Sequence, residues 1–550
     1  MSRNLETGFY MRKRSFWGKR WGSYVILSLL CLVCALAFAL VAIPPKNDAS
    51  YTHFVKKYPD YGYPAHSSGT RLYIDGLRDF QFPMLSGHKA PVYLDFTGSS
   101  LAAKSQIDEY GEYLLSNLMG NPHSGFSSEI PKTAHQLLSA FNTDYSAYSV
   151  VFTSGATASI KLVGESFDFG ENGVFMYTEN NHISVTAIRV YAKSSTVVEP
   201  QITTIVNTAR DISANQPSGT LNLLAFPLES NFNGFRSSVD RLKRLKEELP
   251  DNWYVLVDVA ASVPHSPLDL SNVIGDFFPM SFYKMFGNPT GSGALVVRKE
   301  AIPTLVKTYS GGGTVIWSNT TDVIFRNHFS NRFQDGTPAF DLMPAIRIGL
   351  SHLRKLTFDA IHKHTQALSN YLRSHLERYQ YSTGMKALYV LDIEPVDADE
   401  LFDEVGPVVS FIVRNSDGSI RNSREVAEDA AMHNIKVRSG CLCNYGGCNI
   451  MRRAFAVEQE EIARVYMNGC KGQTKFCLFR KYWIDSSDRW DPQQYGVPDC
   501  GCGEASLDYR YFRFAESQVV DGVVRVSVGY LSDFKDIERF LAWLTNYLNI

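Results

Sequence analysis

The chain has 550 residues, of which 45% are hydrophobic and 20% charged, and a formal net charge of -2. That length suits two or three domains, and the composition can bury a large core. The near-neutral balance supplies no broad basic field, which excludes nucleic acid as the main partner.

The N-terminal region reads differently. Tyr24 to Ile43 contains no charged residue, and twenty helical residues span about 30 Å, the thickness of a bilayer core. Arg12, Lys13, Arg14, Lys19 and Arg20 crowd its N-terminal side, and Pro44-Pro45 stop the helix. The expectation is a basic tail (1–23), an uncleaved transmembrane anchor (24–43), and a single-pass protein of an endomembrane or mitochondrion. Flanking charge places the N-terminus in the cytosol and the body on the far side. A cleaved signal peptide and an Arg-rich mitochondrial leader are the alternatives.

Residues 44–90, rich in Tyr, Pro, Gly and His, read as a linker and N-terminal arm. From Val92 onward, apolar runs alternate with amphipathic stretches. VYLDF, YSVVFT, GVFMYT, LNLLAF, WYVLVDVA, FFPMSF and GALVVR predict buried strands. Helical spacing lies between several of them, as over 156–167 and 237–248. Such alternation predicts an α/β layer with a mostly parallel sheet over 91–350. A long helical pattern through Arg378, strands at VVSFIV and VVRVSV, and a helix from Ser532 predict a smaller α+β domain over 351–550. A polar segment at about 468–510 reads as an insertion.

Nine cysteines are present. Cys31 and Cys34 lie in the apolar run, and the other seven fall between Cys441 and Cys502. A distributed disulfide framework would not cluster in this way, so the cysteines mark a local site. The C-x-C-x4-C spacing of Cys441, Cys443 and Cys448 is a poor zinc match, and no metal ligand is assigned. For Cys470, Cys477, Cys500 and Cys502, zinc, disulfides and burial all stay open.

Lys284 lies just beyond the apolar strand FFPMSF, among Phe, Tyr and Met. A lysine held among aromatics loses ammonium hydration, and its pKa falls toward that of a nucleophilic amine, as Schiff-base chemistry requires. Asp258 ends the strand WYVLVD and points at the open edge where α/β sheets bind ligands. The turn SGATAS, with Gly155, Ala156 and Thr157, opens a helix after YSVVFT and offers free N–H groups to a phosphate. Ser281 can add a hydroxyl to the same group. His182, in NNHIS, reads either as a helix cap or as a ring stacked on a cofactor.

Together with YLDFTGSSL, GNPHS, YSGGGTV, FQDGT, VRSGCLCNYGGC and VRVSVGY, these residues resemble the class V aminotransferase-fold enzymes. Within them the chain is similar to the N-terminal domain of molybdenum cofactor sulfurases and to cysteine desulfurases, from about Val92 onward. The resemblance implies the fold-type-I architecture and pyridoxal 5'-phosphate (PLP) as cofactor. It implies Lys284 as the Schiff-base lysine, Asp258 as partner of the pyridine nitrogen, and His182 as the stacking residue. Thr157 and Ser281 become phosphate ligands, Arg525 the holder of a substrate α-carboxylate, and Cys443 the persulfide-forming thiol. A homodimer is implied too, with Gly313, Thr314 and Thr337 reaching the neighbour's cofactor. The expected reaction takes sulfur from L-cysteine, leaving alanine and a protein persulfide for an unidentified acceptor. The rivals are another class V reaction, such as C–S lysis or decarboxylative condensation, and a catalytically silent membrane scaffold. Three positions depart from the pattern: Ala261 and Tyr283 stand where many desulfurases have Gln and His, and Gln334 replaces an acidic residue. With some 25 residues after Arg525, the sulfur-receiving domain of the sulfurases is not expected in this sequence.

Overall fold

A computed structural model describes residues 49–63, 73–87, 89–124, 129–391, 398–455 and 522–550. Its centre is a seven-stranded sheet built from the apolar runs. In chain order the strands are β1 (Tyr148–Thr153), β2 (Val174–Thr178), β3 (Ser194–Val198), β4 (Asn222–Pro227), β5 (Trp253–Asp258), β6 (Phe277–Ser281) and β7 (Gly293–Arg298). They lie in the order β1-β7-β6-β5-β4-β2-β3. Only β7 runs antiparallel to its neighbours. Every residue of β4 is buried, as a strand covered on both faces requires. The edge strand β3 is mostly exposed, and its polar sequence SSTVV gave no strand signal.

Helix α1 (Ala156–Ser166) follows β1 directly. Gly293 permits this packing: a Cβ there would meet the Met280 carbonyl at 2.3 Å and Gly155 Cα at 2.6 Å. The long helical pattern is two helices, α2 (Met343–Leu356) and α3 (Phe358–Leu376), broken at Thr357, whose φ is +65°. A second, four-stranded antiparallel sheet orders β8 (Leu388–Leu391), β9 (Val408–Val413), β11 (Val523–Ser527) and β10 (Arg438–Gly440), backed by α3 and by the helix Ser423–Met432; the C-terminal helix α4 (Phe534–Leu548) packs on α3.

The run VYLDF behaves differently from its reading. Only Val92–Tyr93 forms a strand, and it pairs in parallel with Ile435–Lys436 rather than joining the large sheet. Asp95 then bridges to Ser527. The stretch read as a linker contains two helices, Ala49–Lys57 and Tyr73–Gln81. Its aromatic residues anchor it: Phe54 and Tyr63 are fully buried, and Tyr61 and Tyr63 stack on His364 at 5.0 and 4.7 Å.

Among the described residues, no helix is long and apolar enough to cross a membrane. The longest of them, α3, is amphipathic, with Ile361, Leu368 and Leu372 buried and Asp359 and Lys363 paired at its surface. This overturns the single-pass membrane assignment drawn from the sequence; the apolar run at 24–43 lies outside the described residues. So do the segment 468–510 and the four cysteines of the 470–502 region.

Candidate active site

The C-terminal ends of the central strands converge on one cavity of about 80 Å³. Its walls include Ala156 and Thr157 at the start of α1, His182 after β2, Asn231 after β4, Asp258 at the end of β5, and Ser281, Tyr283 and Lys284 after β6. Ligands gather at such strand ends because loops, not side-chain layers, close the sheet there. Six residues singled out in the sequence thus meet in one place.

The anion cradle is local. Gly155 has φ +143°, a conformation that L side chains rarely adopt, and it turns the chain from β1 into α1. The Ala156 N–H donates to Ser281 Oγ at 2.8 Å, so the hydroxyl sits on the first turn of α1. Thr157 Oγ1 lies 2.9 Å from Ser184 Oγ. Here helix N–H groups and two hydroxyls meet the positive end of a helix dipole.

Asp258 is buried, and its Oδ1 accepts the Ala260 N–H at 3.0 Å, leaving Oδ2 for a ligand. Lys284 lies on the short helix Phe282–Phe286. Burial lowers its pKa below the usual lysine range, opposed by the Asp258 carboxylate and reinforced by Arg525 and Arg438. The aromatic and apolar neighbours read from the sequence have the expected effect, with Phe282, Met285 and Phe286 fully buried beside it in the chain. His182 caps the helix Ile183–Thr186 through Nδ1, which accepts the Ser184 N–H at 3.2 Å. His182 therefore caps a helix, as one of its sequence readings had it, and also lines the cavity. Burial lowers its pKa, against the pull of Asp258.

Cys443 is exposed and unpaired, on the loop after β10. Leu442 and Cys443 both take the left-handed backbone, with φ of +57° and +56°. The loop is docked: the Cys443 carbonyl accepts the Ile183 N–H at 2.7 Å, and the Leu442 carbonyl accepts from Asn231 Nδ2 at 2.7 Å. Cys443 is thus tied to the residue next to His182. Cys441 and Cys448 are joined in a disulfide, a pairing the sequence reading did not foresee.

Arg525 is 1% exposed. It donates to Asp95 Oδ1 at 2.6 Å and to the Asn231 carbonyl at 2.7 Å, while its Nε has no hydrogen-bond partner among the described residues. Thr337 stands apart from this cavity, in a larger one of about 890 Å³ with Ser154, Gly291 and Lys307. Asn231, Glu229, Asp95 and Arg438 belong to the site's surroundings and were missed. The polar run ESN after the apolar strand LNLLAFP was the available signal for the first two.

Residues 92–458 match the family model for aminotransferase class V. The chain belongs to that family. It is 32% identical over 539 residues to the molybdenum cofactor sulfurase of Arabidopsis thaliana, covering 89% of this chain and 60% of that one. It is 32% identical over 495 residues to the molybdenum cofactor sulfurase of Homo sapiens, covering 85% and 50%. The chain thus spans half to three-fifths of these curated relatives. Among solved structures, a cysteine desulfurase from Thermococcus onnurineus NA1 aligns with a TM-score of 0.59 at 17% identity, covering 86% of this chain and 98% of that one. The cystine C–S lyase C-DES aligns with a TM-score of 0.55 at 16% identity, covering 85% and 99%. These likenesses show the fold. The reading of the chain as a PLP-dependent enzyme of class V stands.

Proposed function

We propose that the chain is a PLP-dependent sulfurtransferase that takes sulfur from L-cysteine and leaves alanine. The observation that carries this reading is the placement of a free, exposed thiol, Cys443, on a loop hydrogen-bonded to the residue beside His182. The donor set suits the cofactor. Ser281, Thr157 and the start of α1, with Gly155 at its cap, would hold the phosphate. Asp258 would hold the ring nitrogen, His182 would cover the ring face, and Lys284 would provide the attaching amine. When bound, PLP supplies the electron sink that labilises bonds at the substrate α-carbon. The protein's part is to orient the substrate, to move a proton with the Lys284 amine and to present the Cys443 thiol to the substrate sulfur. Sulfur transfer to that thiol would store the product as a persulfide, for an acceptor the structure does not identify.

Arg525 would take the substrate α-carboxylate through an exchange in which Asp95 yields part of its hold. A large unit over 91–350 and a smaller one over 351–550 would form the two walls. A homodimer is part of the reading. The hairpin of Val315–Ser318 and Val323–Phe325 leaves Ile316, Trp317 and Ile324 about half exposed or more, an apolar surface that a second copy would cover. Gly313, Thr314 and Thr337 lie in and near that hairpin and would approach the partner's cofactor.

The deciding experiment supplies the PLP-loaded protein with L-cysteine and identifies the products. Alanine in step with protein persulfide supports the reading. Pyruvate and free sulfide would favour the C–S lyase alternative, whose fold this chain shares.

A further inference from the structure

A chain of polar groups leads away from the cavity wall at Glu229. Glu229, which lines the cavity, is 1% exposed. Its Oε1 lies 3.0 Å from His265 Nε2. His265 Nδ1 lies 3.1 Å from Ser266 Oγ, which lies 3.1 Å from His362 Nδ1. His265 and Ser266 are buried, whereas His362, on α3, is partly exposed. The four residues make one unbroken hydrogen-bonded path from the cavity wall to the surface. Glu229 Oε2 has no hydrogen-bond partner among the described residues.

Arg236 determines what the path can do. Its Nη1 donates to Ser266 Oγ at 2.7 Å. A hydroxyl has one proton to give and two lone pairs to fill. With one lone pair taken by Arg236, Ser266 can accept from one histidine only and must donate to the other. Two arrangements satisfy this. In the first, His265 Nδ1–H donates to Ser266, which donates to His362, and Glu229 carries a proton that it donates to His265 Nε2. In the second, every bond reverses: His362 Nδ1–H donates to Ser266, Ser266 to His265 Nδ1, and His265 Nε2–H to a Glu229 carboxylate. Passing from first to second moves one proton from Glu229 to His362, and His362 Nε2–H can then release one to water. Each intermediate group gives one proton and takes one, so the balance closes with solvent as the only sink.

We propose that Glu229, His265, Ser266 and His362 form a proton relay between the PLP cavity and solvent, held in register by Arg236. This rests on the cavity being the PLP site. The relay would let the pocket lose or regain a proton without opening the side on which the Cys443 loop is docked. The charged groups around it are Arg236 and Glu404, 3.8 Å apart, with Asp403 next to Glu404 in the chain, and Asp359 and Lys363 on the same helix as His362. None of these completes a second path through Ser266.

The two arrangements place the ring proton of His265 on different nitrogens, so nitrogen NMR of ¹⁵N-histidine-labelled full chain at neutral pH separates them, with His265→Gln and His362→Gln identifying the signals. A relay that ends in the pocket should respond to its occupation, so PLP loading should change the ratio of His265 Nε2–H to Nδ1–H by about threefold or more, and His362 should respond with it. In Glu229→Gln, PLP absorbance should still report binding while the His265 response disappears. Unchanged histidine tautomers on loading, or an equal response in Glu229→Gln, would overturn the relay. If His362→Gln leaves the His265 response whole, the path does not reach the surface and the relay also fails. A protein that takes up no PLP, visible as missing absorbance, would instead overturn the cofactor reading on which this rests.

Discussion

Arg525 and Asp95 form a buried ion pair at 2.6 Å, joining residues 430 positions apart. The same carboxylate turns Oδ2 to Arg438, which donates through Nη2 at 2.6 Å and Nε at 3.0 Å. Asp95 therefore supplies the counter-charge of a buried guanidinium and opposes the lowering of its pKa that burial imposes. Asp95→Ala leaves Arg525 buried without a counter-charge, which should cost about 3–5 kcal/mol. Arg438 is about half exposed at its side chain, so Arg438→Ala should cost less than about 1 kcal/mol. Urea denaturation of the two variants checks the ordering, and equal losses would show that Arg525 is not the dependent partner.

Lys284→Ala should fold normally, because the site tolerates the loss of an amine more readily than an unpaired charge. It should lose borohydride trapping of PLP, and turnover should fall by about 10²–10⁴-fold if the amine also carries the proton. Retained trapping would place the cofactor on another lysine.

Cys443→Ser should keep the PLP absorbance and lose persulfide formation, since its thiol is exposed and makes no structural bond. Cys441→Ser and Cys448→Ser break the same disulfide. Their effects on stability should be alike, and the double variant should do no more than either alone. Additive losses would show that the two sulfurs act separately.

Acid should destabilise the fold through histidine burial. His364 is fully buried between Tyr61 and Tyr63; its Nδ1 accepts the Gly62 N–H and its Nε2 lies 2.9 Å from the Ser532 carbonyl. Burial lowers its pKa from 6.5 to about 3. The folded value lies below the unfolded one, so the unfolded chain binds the extra proton first. The contribution is whole above pH 6.5 and is lost as pH falls toward 3, at roughly 1.4 kcal/mol per unit. His352 and His362, both held at about 4, add to the slope. Denaturation midpoints between pH 7 and pH 5 test this, and His364→Gln should flatten the fall.

The large sheet was legible because buried parallel strands are written as unbroken apolar runs, as in LNLLAF and WYVLVD. The strand Ser194–Val198 was not, because an edge strand needs no apolar face. Lys284, Asp258 and His182 were legible because each ends such a run or follows it by a few residues. Asp95 and Arg438 were not: their meaning lies in a contact between residues 343 positions apart, and no local period encodes that. The Cys441–Cys448 bond was missed for a related reason. Clustering announces a site, but only backbone geometry says which sulfurs face each other. The arm before Val92 was misread because its aromatic anchors are spaced irregularly, which periodicity does not detect.

The pairing of the Asp95 region with Ser527 has a consequence for synthesis. A chain that emerges from its N-terminus makes Leu94 and Asp95 long before Arg525 and Ser527, yet Thr97 N–H ends on Ser527 Oγ at 3.0 Å. The early segment must therefore wait for more than four hundred residues before its contacts with Arg525 and Ser527 can form. Contacts of such sequence separation pay their loop-closure entropy late and slow the final step of folding. The nascent protein thus spends its translation with an incomplete site, and its competence arrives at the end, in one closing event.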